Sequence, residues 1–176
     1  MLNLVILYGL IWTGFHLGAG YVAQRLPGHL FANFSLVSRE YDWEKGGRLY
    51  ERLGIRWWKD HLPEAGGFLH GGFPKRHLQS GDAGYLGQFA LETCRAECSH
   101  WLTWSLALSF FVWTPWEVGM VMLVYGAASN LPCILVQRYN RIRLRRVART
   151  LARRAQRDDA VLPAHALPRQ GKRQRA

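Results

Sequence analysis

Two apolar runs stand back to back, Trp101 to Trp116 and Val118 to Gln137, broken by a Thr-Pro-Trp-Glu turn and bounded by polar groups at both outer ends. A third run, Leu2 to Gln24, carries no charge at all. At 1.5 Å per residue the runs Leu2 to Gln24 and Val118 to Gln137 are long enough for a hydrocarbon layer of about 30 Å, whereas Trp101 to Trp116 is short, at roughly 24 Å. With 176 residues the chain can form one modest soluble domain, but its apolar residues are gathered into charge-free runs rather than spread in a core pattern. These runs predict a membrane protein.

The formal charge of +11 would suggest nucleic acid in a soluble chain. Here the 23 lysines and arginines fall in two segments, ten from Arg25 to Arg95 and thirteen from Arg138 to Arg175. The turn between the paired runs has none, nor has the N-terminal run. The positive-inside bias therefore places both basic segments in the cytoplasm, with the turn and the N-terminus outside. Topology thus accounts for the charge, and no nucleic-acid partner is expected. The expectation is an all-α integral membrane protein: three transmembrane helices (about 2–24, 100–116 and 118–137), interfacial helices in a cytoplasmic loop 25–99, and a basic C-terminal helix. Residues 158–176 are expected to form a disordered basic tail.

The N-terminal run lacks a basic n-region and a clear small-x-small cleavage site, which favours a retained anchor over a signal peptide. Trp12 and His16 lie within it, the histidine either a functional group or a bond to a neighbouring helix. Between Gly47 and His61, Leu49, Leu53 and Trp57 recur at helical spacing, with Trp57 and Trp58 suited to a headgroup boundary. Pro63 stops this pattern. The glycine-rich stretch 65–87, with His70, Lys75, Arg76 and His77, reads as a loop and matches no nucleotide fingerprint. Cys94, Cys98 and Cys133 are too few and too irregular for a disulfide framework, and read as packing residues or, alternatively, one covalent acyl carrier.

The chemistry gathers where the paired runs end. A helix entering the second span places Glu97 three residues and Glu92 two turns before His100, so either carboxylate can orient the imidazole as a general base. Glu97-x-x-His100 is also half of a di-iron pattern, but no second copy exists, so no metal is expected. On the returning helix Asn130, Gln137 and Arg141 form a polar stripe, and Pro132 removes a backbone donor and predicts a kink. If the runs pair through the Pro115 turn, Glu92, Glu97 and His100 come level with Gln137, Arg138 and Arg141.

Four strings, RAECSHW, NLPCILVQRYNRIRL, WEKGGRLYERLGIRWWKDHLPE and PKRHL, resemble the glycosyl-4,4'-diaponeurosporenoate acyltransferase family. The doubled Trp57-Trp58, Cys98 and the arginine-rich tail depart from that pattern. The resemblance implies that residues 1–157 form one bacterial cell-membrane acyltransferase domain. It would esterify a sugar hydroxyl of a glycosylated carotenoid acid or similar glycolipid with a fatty acyl group, late in staphyloxanthin-type carotenoid synthesis. Its partners would be the lipid bilayer, that acceptor and an acyl donor, either acyl-CoA or an acyl carrier protein, with no further cofactor. For that reaction His100 is the expected base, with Glu97 or Glu92 orienting it. Asn130 or Gln137 would supply oxyanion donors, and Lys59, Arg138 and Arg141, with Arg95 nearby, would hold the donor and its phosphates. The competing expectation is a non-catalytic membrane scaffold for lipid or terpenoid enzymes.

Overall fold

The computed structural model describes residues 2–62 and 83–161, and among them the regular structure is helical throughout. α1 (Leu2–Arg25) is followed by short helices α2 (Gly28–Asn33) and α3 (Ser35–Ser38), a 3-10 turn (Asp42–Gly47), α4 (Arg48–Arg52), α5 (Ile55–Trp58) and a 3-10 turn (Lys59–His61). α6 (Ala83–Leu106) leads through a 3-10 turn (Ala107–Ser109) into α7 (Phe110–Trp113), and α8 (Trp116–Val161) returns beside it. The histidine and lysine loop expected over 65–87 lies outside the described residues up to position 82, as does the tail beyond Val161.

The pairing of α6 with α8 is the spine of the molecule, and α1 packs on α6. All three come close together at Gly126. A methyl group there would stand 2.8 Å from Trp12 and 2.9 Å from Trp104, so only the missing side chain lets three helices meet. Around it Trp12, Ala107 and Phe110 are buried, flanked by Tyr8, Phe15, Trp104 and Met122. The indole nitrogens are used inside this apolar group: Trp12 Nε1 donates to Met122 Sδ at 3.4 Å and Trp104 Nε1 to the Leu123 carbonyl at 3.2 Å. The hairpin turn closes as Thr114 Oγ1 bonds the Phe110 carbonyl at 2.7 Å and the amides of Val118 and Gly119 reach Pro115 O. Pro115, immediately before α8, forfeits no intrahelical bond there.

Two of the expected helices differ. Among the described residues only α1 and the Trp116–Arg157 part of α8 are long and apolar enough to cross a membrane, not three helices. The stretch expected as the span 100–116 is divided: its first residues end α6, whose earlier turns carry Glu92, Arg95 and Glu97, and the rest is a 3-10 turn plus one turn of α7. Ser105 and Ser109 donate to the carbonyls of Trp101 and Leu106 at this break, a local bond that competes with regular helix.

The amphipathic helix expected over Gly47–His61 is likewise broken, because Gly54 sits at φ +69° and Lys45, Gly46 and Gly47 also have positive φ. The apolar positions that face inward are not the periodic ones. Leu53 and Trp57 are 55% and 80% exposed, whereas Tyr50 and Ile55 are buried against Tyr139 and Ile142. α8, in contrast, runs through Pro132 as one helix. Its basic half does not stand apart: Leu144, with Ala148 and Leu151, packs on Leu86, Phe89 and Ala90 of α6, while Val147 is exposed.

Candidate functional site

Midway along the spine, between the Gly126 contact and the packing of Leu86 on Leu144, lies a buried cluster of charge. Glu97 on α6 is fully buried; its Oε1 accepts from Arg138 Nη1 at 2.9 Å and its Oε2 from Arg141 Nη2 at 2.5 Å. Trp101 Nε1 approaches the same Oε1 at 3.4 Å. Arg138 then reaches across to the segment before α4, giving Nε to Glu44 Oε1 at 2.9 Å and its Nη groups to the carbonyls of Leu36 and Arg39. Its guanidinium also lies over the rings of Tyr41 and Trp43.

Glu44 is clasped from three further directions: Tyr50 hydroxyl at 2.5 Å, the Tyr41 amide at 2.6 Å, and the fold around it, which leaves no exposure. Burial pushes its carboxyl up, but the bonds from Arg138, Tyr41 and Tyr50 outweigh it and hold the group below the usual carboxylate range. Tyr50, buried and donating to that carboxylate, is pushed well above a free phenol. Two carboxylates thus meet two guanidiniums with most of their bonding groups satisfied, the condition under which buried charge is tolerated.

One turn further along α6 the chemistry changes from ionic to neutral. His100 Nδ1 is 2.9 Å from Asn130 Oδ1. Asn130 is fully buried, and its Nδ2 donates to the Gly126 carbonyl at 2.9 Å and to Ser129 Oγ at 3.1 Å. The Gly126 carbonyl can only accept, so the amide orientation is fixed and Oδ1 must face the histidine. An acceptor there requires the proton on His100 Nδ1 and leaves the basic lone pair on Nε2.

The expected residues therefore divide. Glu97, Arg138 and Arg141 come together, as the hairpin register implies, and so do His100 and Asn130. Glu97 is engaged by two arginines, and the bond that orients His100 comes from Asn130. Arg138, expected to hold a donor phosphate, has every guanidinium nitrogen taken within the protein and acts as a structural hub. Asn130 has both amide hydrogens bonded within the protein, to the Gly126 carbonyl and Ser129 Oγ, while its Oδ1 faces His100. Gln137 lies seven residues along α8, about 10 Å of helix rise from Asn130, too far for both to serve one reacting carbonyl.

The Gln137 Oε1 and Arg141 Nη1 atoms are buried without a hydrogen-bond partner among the described residues. Glu92 accepts from Gln88 Nε2 and from Arg95, which also caps the Leu26 carbonyl and lies over Phe31, joining α6 to the end of α1. Lys59 pairs with its neighbour Asp60 at 2.5 Å. Burial, then the Glu97 charge, pushes the Cys98 thiol up to about 11, and burial raises Cys94 too, which opposes a thiolate acyl carrier at either position. Among the described residues no three His, Cys, Asp or Glu side chains cluster as metal ligands. Glu44, Tyr50 and Ser129 are the members that sequence reasoning missed. Glu44 and Tyr50 stand in the WEKGGRLYERL string, but a partner 94 residues away leaves no local signature.

Residues 33–150 match the family described as glycosyl-4,4'-diaponeurosporenoate acyltransferase. A protein of that name from Staphylococcus haemolyticus strain JCSC1435 is 32% identical over 145 residues, covering 82% of this chain and 84% of its own. Another from Staphylococcus aureus strain RF122 / ET3-1 is 29% identical over 149 residues, covering 84% and 90%. No solved structure matches.

Proposed function

Because the chain belongs to the glycosyl-4,4'-diaponeurosporenoate acyltransferase family and is thus an acyltransferase of carotenoid biosynthesis, we propose that it moves a fatty acyl group from a thioester donor to a sugar hydroxyl of a glycosylated carotenoid acid at a bacterial membrane surface. The observation that carries the chemical reading is the His100–Asn130 bond at 2.9 Å, which supports Nε2 as the base. Asn130 lies about 10 Å of helix rise inside the polar end at Gln137. That depth suits a reaction between an acyl chain in the bilayer and a sugar at its edge.

His100 Nε2 takes the hydroxyl proton as the sugar oxygen attacks the thioester carbonyl. The tetrahedral adduct collapses with cleavage of the carbon–sulfur bond, and the imidazolium returns the proton to the departing sulfur. The products are an ester and a thiol, with neither metal nor redox partner in the balance. The buried Glu44–Arg138–Glu97–Arg141 group holds α6, α8 and the 36–50 segment in register around this pair. A scaffold reading would leave half-buried His100 and buried Asn130, the latter held by Gly126 and Ser129, without a task. Exposed Trp57 and Trp43 would meet the headgroup layer beside the site.

The test is His100→Ala in a strain producing the glycosylated acceptor. Acylated product should fall by about 10²-fold or more, as loss of a general base does, with membrane-inserted protein at the unsubstituted level. Undiminished acylation would leave His100 a structural residue and reopen the scaffold reading.

A further inference from the structure

Arg138 and Arg141 are occupied by carboxylates, so the phosphates of an acyl donor need another cationic surface. The structure offers one further along α8. Arg146, Arg149, Thr150 and Arg153 fall on one face at i, i+3, i+4 and i+7. With Ile142 beneath and Glu40 opposite they line a cavity of about 190 Å³. None of these three arginines takes part in an ion pair among the described residues. Arg146 gives one nitrogen to the Gly46 carbonyl, which anchors it, while Arg149 and Arg153 are exposed. Three guanidiniums against one carboxylate leave a net charge of +2 around the hollow. A merely solvated basic face needs no concavity, whereas this one has room for several waters of about 30 Å³ each, or for a phosphoryl group.

The ligand's source follows from depth. Arg146 and Arg153 lie nine and sixteen residues beyond Gln137, where the apolar run ends. That is about 14 and 24 Å of helix rise, against a headgroup layer of about 5 to 8 Å on each face. The cavity therefore faces a soluble anion rather than a lipid phosphate. Arg146 is also about 24 Å along the helix from Asn130, so an anion bound here and a carbonyl at His100 must belong to one long molecule. Resting on the acyltransferase reading above, we propose that Arg146, Arg149 and Arg153 bind the phosphate groups of a nucleotide-type thioester donor, a coenzyme A ester, whose pantetheine arm runs toward His100.

Coenzyme A itself is the probe, with full-length protein in phosphatidylcholine nanodiscs. The unsubstituted protein should bind it with an affinity that falls as salt rises. Arg149→Ala/Arg153→Ala should bind about tenfold or more weakly, since charge-assisted contacts are lost. Glu40→Gln should bind more tightly, and His100→Ala should bind like the unsubstituted chain. In turnover, the double variant should raise KM for acyl-CoA more than for a phosphate-free acyl thioester. Equal binding by the double variant, or an equal loss with both donors, would overturn the proposal. Loss of coenzyme A binding when phosphatidylglycerol is added to the discs would overturn it in favour of a lipid headgroup. Acyl transfer by a protein that does not bind coenzyme A would defeat the site and leave the function standing. Arginine-dependent binding without acyl transfer would do the reverse.

Discussion

At the scale of single residues, Arg138 is the group whose loss should be felt most. Among the described residues it is the one cation that pairs with both Glu44 and Glu97, and both carboxylates are shut away from water. Arg138→Met leaves two buried anions with reduced compensation, a change that costs about 3–5 kcal/mol for a broken buried pair. The expected outcome is a sharp fall in folded protein, read as thermal unfolding in detergent, rather than a selective rise in KM. The same cluster makes stability pH-dependent. The Glu44 carboxyl is held below its ordinary range, so its contribution is complete above that range and is lost as pH falls through the lowered value. Glu44→Gln should therefore lower stability at neutral pH and flatten the acid limb of the unfolding profile; an unchanged acid limb would show that other groups govern it. The meeting of Glu97 with Arg138 and Arg141 was legible in the sequence, because a hairpin through Pro115 brings those positions level. The third side of the cluster was not, since Glu44 reaches it through a backbone of positive-φ residues that no hydrophobic period encodes.

At the scale of elements, close approach of helices and the orientation of His100 are tied together at Gly126. Its missing side chain admits Trp12 and Trp104, and its carbonyl fixes the Asn130 amide that in turn orients His100. Gly126→Ala should lower stability by about 1–3 kcal/mol, the usual cost of overpacking, and reduce acyl transfer as well. Gly9→Ala, where a methyl group meets nothing within 4 Å, is the matched control and should unfold at or above the original temperature. Equal effects of the two substitutions would remove the close contact from the account. The α6–α8 pairing followed from two runs and a proline turn. The breaks were harder to read. Gly54 interrupts a good apolar period with a left-handed residue, and the serine back-bonds near Ala107 divide an apolar run that hydropathy alone presents as continuous. In both places local backbone chemistry overrides the pattern of side chains.

For the whole molecule the question is orientation, which the charge pattern predicts, while the contacts tell which segments lie together. The distribution of charge assigns the segments 25–95 and 138–175 to one side by the positive-inside bias. The contacts bring the same two segments together: Arg138 bonds Glu44, Arg145 bonds the Ser38 carbonyl and Arg146 bonds the Gly46 carbonyl. At the opposite end Tyr8 packs on Phe110 and Trp113 beside the Pro115 turn, so the beginning of α1 and the turn that lacks lysine and arginine lie together. A cysteine placed at Glu117, exposed at that turn, should react with a membrane-impermeant thiol reagent in intact cells. Cysteines at Arg52 and Gln156, each exposed on the basic side, should react only after permeabilisation, all measured against the unsubstituted protein and its three native thiols. Labelling of Arg52→Cys in intact cells while Gln156→Cys stays protected would separate two segments that the Glu44–Arg138 bond joins, and that result is incompatible with this fold. Labelling of both from outside, with Glu117→Cys protected, would invert the protein and place the proposed donor cavity on the side of the membrane that lacks cytoplasmic coenzyme A.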